Sequence, residues 1–345
     1  MNSILEQKID ELKAQFSDRR TQVCDIEVVK EGGTAKITGI VLDEATATAV
    51  QSHFPEIANE LTILRQPEPE WLAVSTTLTG LYNKPSFGAG LDTELHNDQA
   101  VELLRSEESW AYVRQTDGYL GWMYRPYLAA KPAAEPTHLV SDPVAPLHLT
   151  PDADAPLVSR VLGGTAVHVT DEQSGWVCLD LVGDLTGWVP AHMLRQLPLP
   201  TLPEPQLRQR LVADAYSFTG VPYQWGGSSA YGIDCSGFAQ MVHKLSGIQL
   251  PRDADMQFDN GRPVEPPFQP GDLLFFASPN GHRRITHVGI SLGDWQLIHS
   301  SRSHNGVYVD NVQEVKHLRE TFAGRVATSR YSFPRKRQVS GEIQR

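Results

Sequence analysis

Two stretches of this chain repeat one pattern of strand, turn and Gly-Trp strand. Trp110-Ala111-Tyr112-Val113 leads to Gly121-Trp122-Met123, and Trp176-Val177-Cys178-Leu179 leads to Gly187-Trp188-Val189, with the tryptophans of each copy equally spaced. Short strands punctuated by Asp117-Gly118 and Gly183-Asp184 turns are the pattern of small antiparallel barrels. The repeat therefore fixes two such barrels in mid-chain, at about 70–129 and 137–197. Tryptophans at these positions fill a barrel core more often than they form a binding platform.

The 345 residues exceed what one hydrophobic core organises, so further domains flank the pair. Residues 1–66 read as helix, strand, strand, helix, strand. Ile4, Leu5, Ile9, Leu12 and Phe16 share one helical face, and Ile26, Val28 and Val29 lie before the Glu31-Gly32-Gly33 turn. Ala35, Ile37, Gly39 and Val41 follow it, and Asp43–His53 is a second helix. Leu197-Pro198-Leu199-Pro200-Thr201-Leu202-Pro203-Glu204-Pro205 is extended by its prolines and marks a domain boundary. A last α+β domain occupies 205–333, and the charged tail from Pro334 is a solvated end.

A net charge of −11 disfavours nucleic acid and anionic membrane surfaces as partners. The first residues lack a basic start and an apolar run, and no stretch reaches the ~20 apolar residues of a membrane span, so the expected location is the cytoplasm. Cys24, Cys178 and Cys235 are odd in number and widely spaced, which is neither a disulfide framework nor a zinc pattern. Cys24 and Cys178 are expected to be buried spectators, and no metal or organic cofactor is called for.

The chemistry concentrates after the prolines. Tyr223-Gln224-Trp225-Gly226-Gly227 leads into Asp234-Cys235-Ser236-Gly237-Phe238, and Phe238, Met241, Val242 and Leu245 follow helical spacing. Asp234 is a suitable N-cap, so Cys235 falls in the first helical turn, where unpaired amides and the helix dipole favour a thiolate. The backbone N–H of Cys235 is also a natural oxyanion donor. The base is His287, on the strand Ile285–Ser291, with a return strand Trp295–Ser300 bearing His299. A three-residue loop with Ser291 opposite Trp295 sets His287 opposite His299 on one face, and Val288, Ile290 and Ile298 on the core face. A two-residue loop puts the histidines on opposite faces. His287 then takes the thiol proton while His299 fixes its tautomer. His282 and His304 are alternative third members, and His243 is expected at the surface.

Tyr-x-Trp-Gly-Gly, Asp-Cys-Ser-Gly-Phe, Leu250-Pro251-Arg252-Asp253, Pro270-Gly271-Asp272-Leu273 and His287-Val288-Gly289-Ile290 follow one another in this order. Together they closely resemble the NlpC-type, papain-like cysteine peptidase domain over 205–333. The repeat resembles bacterial SH3-like modules, and residues 1–66 loosely resemble the small domain called BON. The resemblance implies hydrolysis of the γ-D-glutamyl–diamino acid bond of peptidoglycan stem peptides. Members with tandem SH3-like modules take short free peptides with an N-terminal L-alanine, a recycling role. It further implies that Tyr223, Trp225, Asp234, Ser236 and Asp253 line the glutamyl and alanyl pockets, while Glu94 and Tyr119 close an amine pocket. An α-ammonium needs carboxylates, and Asp253 and Glu94 supply them. One departure stands out: Ala254 replaces the serine that many relatives have after Pro-Arg-Asp.

Three other readings compete. The chain could be an exported hydrolase of intact wall, a wall-peptide-binding protein with an idle last domain, or an acyl-transfer enzyme on the same Cys-His scaffold. The intact set of Cys235, His287 and His299 argues against the idle domain.

Overall fold

The computed structural model describes residues 2–31, 34–132, 134–277 and 285–326. His282 lies outside them. The chain forms two compact units, one of Met1–Glu135 with Asp180–Thr186 and one of Pro136–Leu179 with Gly187–Arg345.

The first unit opens with the predicted order of elements: α1 (Asn2–Gln15), β1 (Cys24–Glu31), β2 (Thr34–Val41), α2 (Glu44–His53) and β3 (Ala58–Ile63). Asp43 caps α2 by accepting from Thr46 N–H at 3.0 Å. The strands form one sheet, antiparallel between β1 and β2 and parallel between β2 and β3. Ile9 and Leu12 from one helix and Val50 from the other pack on Ile26, Ile37 and Val41.

The first barrel follows as β4 (Glu70–Val74), β5 (Leu78–Tyr82), β6 (Leu91–His96), β7 (Ala100–Glu107), β8 (Trp110–Gln115), β9 (Leu120–Tyr124) and β10 (Leu128–Ala130). Leu72, Leu81, Leu95, Val101, Val113 and Met123 fill it. Neither of its repeat tryptophans belongs to that cluster. Trp122 is 6% exposed and packs on Tyr112, whereas Trp110 lies against Tyr82, Tyr124 and the exposed Phe87. The small domain is fixed to this barrel by a shared cluster of Leu42, Leu64, Leu104 and Leu120. Glu102, buried on β7, is neutralised by Arg65 at 3.0 Å and Arg114 at 3.4 Å.

The second barrel consists of β11 (His138–Val140), β12 (Val144–His148), β13 (Leu157–Leu162), β14 (Ala166–Gln173), β15 (Trp176–Leu181), β16 (Leu185–Pro190) and β17 (Leu194–Gln196). Its sheet runs β13-β12-β16-β15-β14-β11-β17, and the first runs β10-β4-β7-β8-β9-β5-β6. Read from opposite ends these are the same order, so the sequence repeat is a repeat of the whole topology.

The rest of the second unit holds α3 (Glu204–Ser217), β18 (Ser228–Ser229), β19 (Gly232–Ile233), α4 (Cys235–Lys244), α5 (Ala254–Asn260), β20 (Leu273–Phe276), β21 (His287–Gly293), β22 (Gln296–Ser301), β23 (Gly306–Asn311), α6 (Lys316–Thr321) and β24 (Phe322–Val326). Strands β20 to β24 form one antiparallel sheet in the order β23-β22-β21-β20-β24. Helix α4 lies on β21 and β22, with Phe238 and Val242 in one buried cluster with Val288, Ile290 and Ile298.

The proline segment joins the second barrel to the last domain within one compact unit, where Leu197 and Leu199 pack on the catalytic core and Leu139 of β11 is part of it. Arg195 of β17 ties the same parts together, donating to Asp214 on α3 at 2.8 Å and to Leu245 O at 2.7 Å. His243 is not at the surface but fully buried, its Nδ1 2.7 Å from Ala239 O. Burial lowers its pKa to about 4, so the ring is neutral and Nδ1–H is the donor. Cys24 and Cys178 are free thiols, half-buried rather than buried. Among the described residues no helix is long and apolar enough to cross a membrane.

Candidate active site

Asp234 holds the start of α4. Its Oδ1 accepts from Gly237 N–H at 2.7 Å, its Oδ2 from Gly226 N–H at 2.9 Å, and Arg252 grips both oxygens at 3.0 and 2.7 Å. Arg252 also donates to Ser236 Oγ at 3.0 Å. All three side chains are buried, so this ion pair is strong only because every lone pair is used. The loop must come very close, and a Cβ on Gly237 would meet Gly227 O at 2.4 Å. Cys235 is thereby fixed at the first helical position, where its own N–H has no acceptor within the helix.

The expected thiolate is not the resting form. Cys235 is only 8% exposed, and burial, reinforced by the Asp234 carboxylate, pushes its thiol up to about 12. Hydrogen bonds from the Val288 and Ser236 backbone and the charge of Arg252 act the other way and are outweighed. The Val288 contact also locates the thiol, because His287 is the preceding residue.

The hairpin carrying the histidines differs from expectation in register. Its turn has two residues, with Gly293 opposite Gln296, and Asp294 adopts φ +49°. A regular two-residue hairpin would separate the histidines, but a bulge between Ser291 and Gly293 absorbs one residue and restores the parity. Ile290 then faces Ile298, which sets His299 across from Gly289 and diagonal to His287. A Cβ on Gly289 would lie 2.4 Å from Leu297 Cδ1 and 3.0 Å from His299 Cβ. Glycine leaves the space in which His287 Nε2 reaches His299 Nδ1 at 2.7 Å.

A fourth member was missed. Asp310 on β23 pairs with Leu297, which places it diagonal to His299, and its Oδ2 lies 3.0 Å from His299 Nε2. The hydrogen bond from His299 lowers the Asp310 pKa, keeping it an ionised acceptor. His299 Nε2 therefore carries a proton and donates, and its Nδ1 offers a lone pair. His287 Nε2–H donates to that lone pair, leaving His287 Nδ1 as the free base. Burial, and then the neighbouring His299, hold the His287 pKa well below 6.5, so the base is neutral. His304 does not replace His299, because it bonds Asp310 from the exposed side at 3.1 Å.

The other expected residues fall into three groups. Tyr223 and the 60% exposed Trp225 lie on the loop before α4, and Tyr223 is within electrostatic reach of Cys235. Asp234 and Ser236 are committed to Arg252 and the helix cap, so the Asp234 carboxylate is not open to an ammonium. Asp253 precedes α5 without capping it, and Ala254 is buried in the catalytic core. Glu94 lies half-buried on β6 of the first unit, where Tyr119 belongs to the barrel's buried cluster.

Sequence comparison adds to this geometry. The profile of the NlpC/P60 family matches residues 220–326, and those of the bacterial dipeptidyl-peptidase Sh3 domain and the bacterial SH3 domain match 81–125 and 143–195. A gamma-D-glutamyl-L-lysine dipeptidyl-peptidase of Bacillus cereus is 30% identical over 244 residues, 64% of this chain and 70% of that protein. The chain belongs to the NlpC/P60 family. Dipeptidyl-peptidase 6 of Lysinibacillus sphaericus is 27% identical over 70% of this chain and 91% of its own length. The crystal structure of an NlpC/P60 family protein from Bacillus cereus shares the fold, with TM-score 0.65 and 24% identity over 74% of this chain and 99% of that one.

As an NlpC/P60 member the chain is a cysteine peptidase, and its residues define how the reaction starts. With Cys235 and His287 both uncharged, this arrangement can pass the thiol proton to His287 Nδ1 as Sγ closes on a carbonyl carbon. An imidazolium formed there would be stabilised through His299 by the Asp310 carboxylate. It could then protonate a leaving amine, and the regenerated base could activate the water that cleaves the thioester. The N–H of Cys235, without an acceptor in the helix, could serve as an oxyanion donor.

Proposed function

We propose that this peptidase hydrolyses the γ-D-glutamyl–diamino acid bond of free peptidoglycan stem peptides bearing an N-terminal L-alanine, as a step in wall-peptide recycling. The observation that carries the reading is the oriented base beside Cys235, in a chain with two SH3-like barrels and relatives named for this dipeptidyl-peptidase activity. A wall strand presents its alanine as an amide, so a site that requires the free ammonium rejects it. Cytoplasmic location belongs to the same proposal, and cell fractionation tests it.

The deciding experiment follows L-Ala-γ-D-Glu-diaminopimelate and its N-acetylated twin by mass spectrometry, with Cys235→Ala as control. Release of the diamino acid from the free peptide alone, abolished in the variant, is the expected result. Equal cleavage of both peptides would remove the amine requirement. Cleavage of neither would favour a binding role, and activity on intact sacculi a wall hydrolase.

A further inference from the structure

Arg302 follows β22 directly, three residues after His299, and has no role in the base chain. Its guanidinium carbon lies 5.4 Å from the ring centroid of Tyr223 and 5.4 Å from that of Trp225. Both rings sit on the loop that ends at Cys235. That loop is fixed to the strands by the Pro222–Gly306 bridge, by Tyr223 N–H donating to Asn305 O at 3.2 Å, and by Ser300 Oγ donating to Ile233 O at 2.6 Å.

Two features of this arrangement point to a ligand. Among the described residues no carboxylate pairs with Arg302, although the chain carries a net charge of −11, whereas the other active-site arginine, Arg252, is bonded to Asp234, Ser236 and Gly227 O. Trp225 is left 60% exposed beside it. Tyr223 takes a hydrogen bond from Arg302 as well as offering its ring face, which orients the flat guanidinium and leaves its remaining N–H groups for contact with a carboxylate.

We propose that Arg302, held against Tyr223 and Trp225 beside the nucleophile, forms a subsite for a free carboxylate of the substrate. The inference deepens the proposed function, and naming the substrate rests on that reading. A γ-linked glutamate leaves its α-carboxylate free, and a terminal diamino acid has one of its own. Either supplies the chemistry, and amidation separates them. The subsite discriminates by charge and planarity, so a lysine in its place keeps attraction but loses the paired hydrogen bonds.

The test compares wild type, Arg302→Met and Arg302→Lys on three peptides: L-Ala-γ-D-Glu-diaminopimelate, its α-amidated glutamyl analogue and its C-terminal amide. In wild type, amidation at the recognised carboxylate is expected to lower kcat/KM about tenfold or more. Arg302→Met lowers kcat/KM for the parent peptide by a similar factor and shows no further penalty on amidation; Arg302→Lys falls between. An amidation penalty undiminished in Arg302→Met, or a parent rate unchanged by it, would overturn the subsite. A second readout is independent of peptide turnover: the rate of Cys235 alkylation by iodoacetate relative to iodoacetamide, with Cys24 and Cys178 as internal references. That ratio is expected to fall several-fold at Cys235 in Arg302→Met. If wild type cleaves no peptide, the functional reading fails, and this ratio alone decides the subsite. An unchanged ratio then overturns it.

Discussion

At the scale of single residues, the reactivity of His287 is decided by an oxygen it never touches. Asp310 fixes the His299 tautomer and through it the one nitrogen of His287 left free to accept a proton. Asp310→Asn is expected to lower kcat by about two orders of magnitude or more with KM little changed, because an amide neither enforces the tautomer nor stabilises the imidazolium. Steady-state kinetics on a cleavable peptide check it. His304→Ala, on the solvent side of the same carboxylate, should have a far smaller effect. The pH profile follows from the same charges. With His287 held well below 6.5, the neutral base persists and the acid limb of kcat/KM lies below that value. With the thiol near 12, Cys235 contributes no alkaline limb in the ordinary working range. Cys235, His287 and His299 could be found from sequence because each sits within a motif or an alternation of strand residues. Asp310 could not, since nothing in Val309-Asp310-Asn311 marks it and its place depends on two strand registers at once.

Among the elements, the β21–β22 hairpin and helix α4 carry the site. Sequence pattern located both, and the side assignment of Val288, Ile290 and Ile298 was legible from alternation. The turn was not, because a bulge at Leu292 changes parity without leaving a compositional trace. Gly289 is the point at which the hairpin is most sensitive. Gly289→Ala should cost about 1–3 kcal/mol through the clash with Leu297 and displace His299, seen as a lower Tm together with a reduced kcat. On α4, alternation in threes and fours did not reveal that His243 is interior, since a polar residue in helical register reads as solvent-facing. Its folded pKa near 4 lies below the unfolded value of 6.5. The unfolded chain therefore binds the proton first, and the stability that His243 contributes is present above 6.5 and lost as pH falls towards 4. Between pH 7 and 5 this amounts to about 2 kcal/mol, and a His243→Phe variant should flatten the fall in Tm over that interval.

For the molecule as a whole, the two SH3-like barrels and the NlpC/P60 domain after them were readable, because a repeated Gly-Trp pattern and a dense motif series survive in the sequence. How domains merge was not, because a run of prolines looks the same whether it hangs free or lies packed. Arg195→Ala should lower stability by about 3 kcal/mol, since it strands the buried Asp214 carboxylate, with kcat at low temperature largely kept. Thermal unfolding followed beside activity measures this. The core shared by Leu139, Leu197 and Leu199 with the catalytic helices has a consequence for how such proteins are assembled over generations. Recombination that cut at the prolines would deliver a peptidase with an uncovered apolar flank, so the second barrel and the peptidase are expected to be inherited, and to be transplanted by protein engineers, as one cassette.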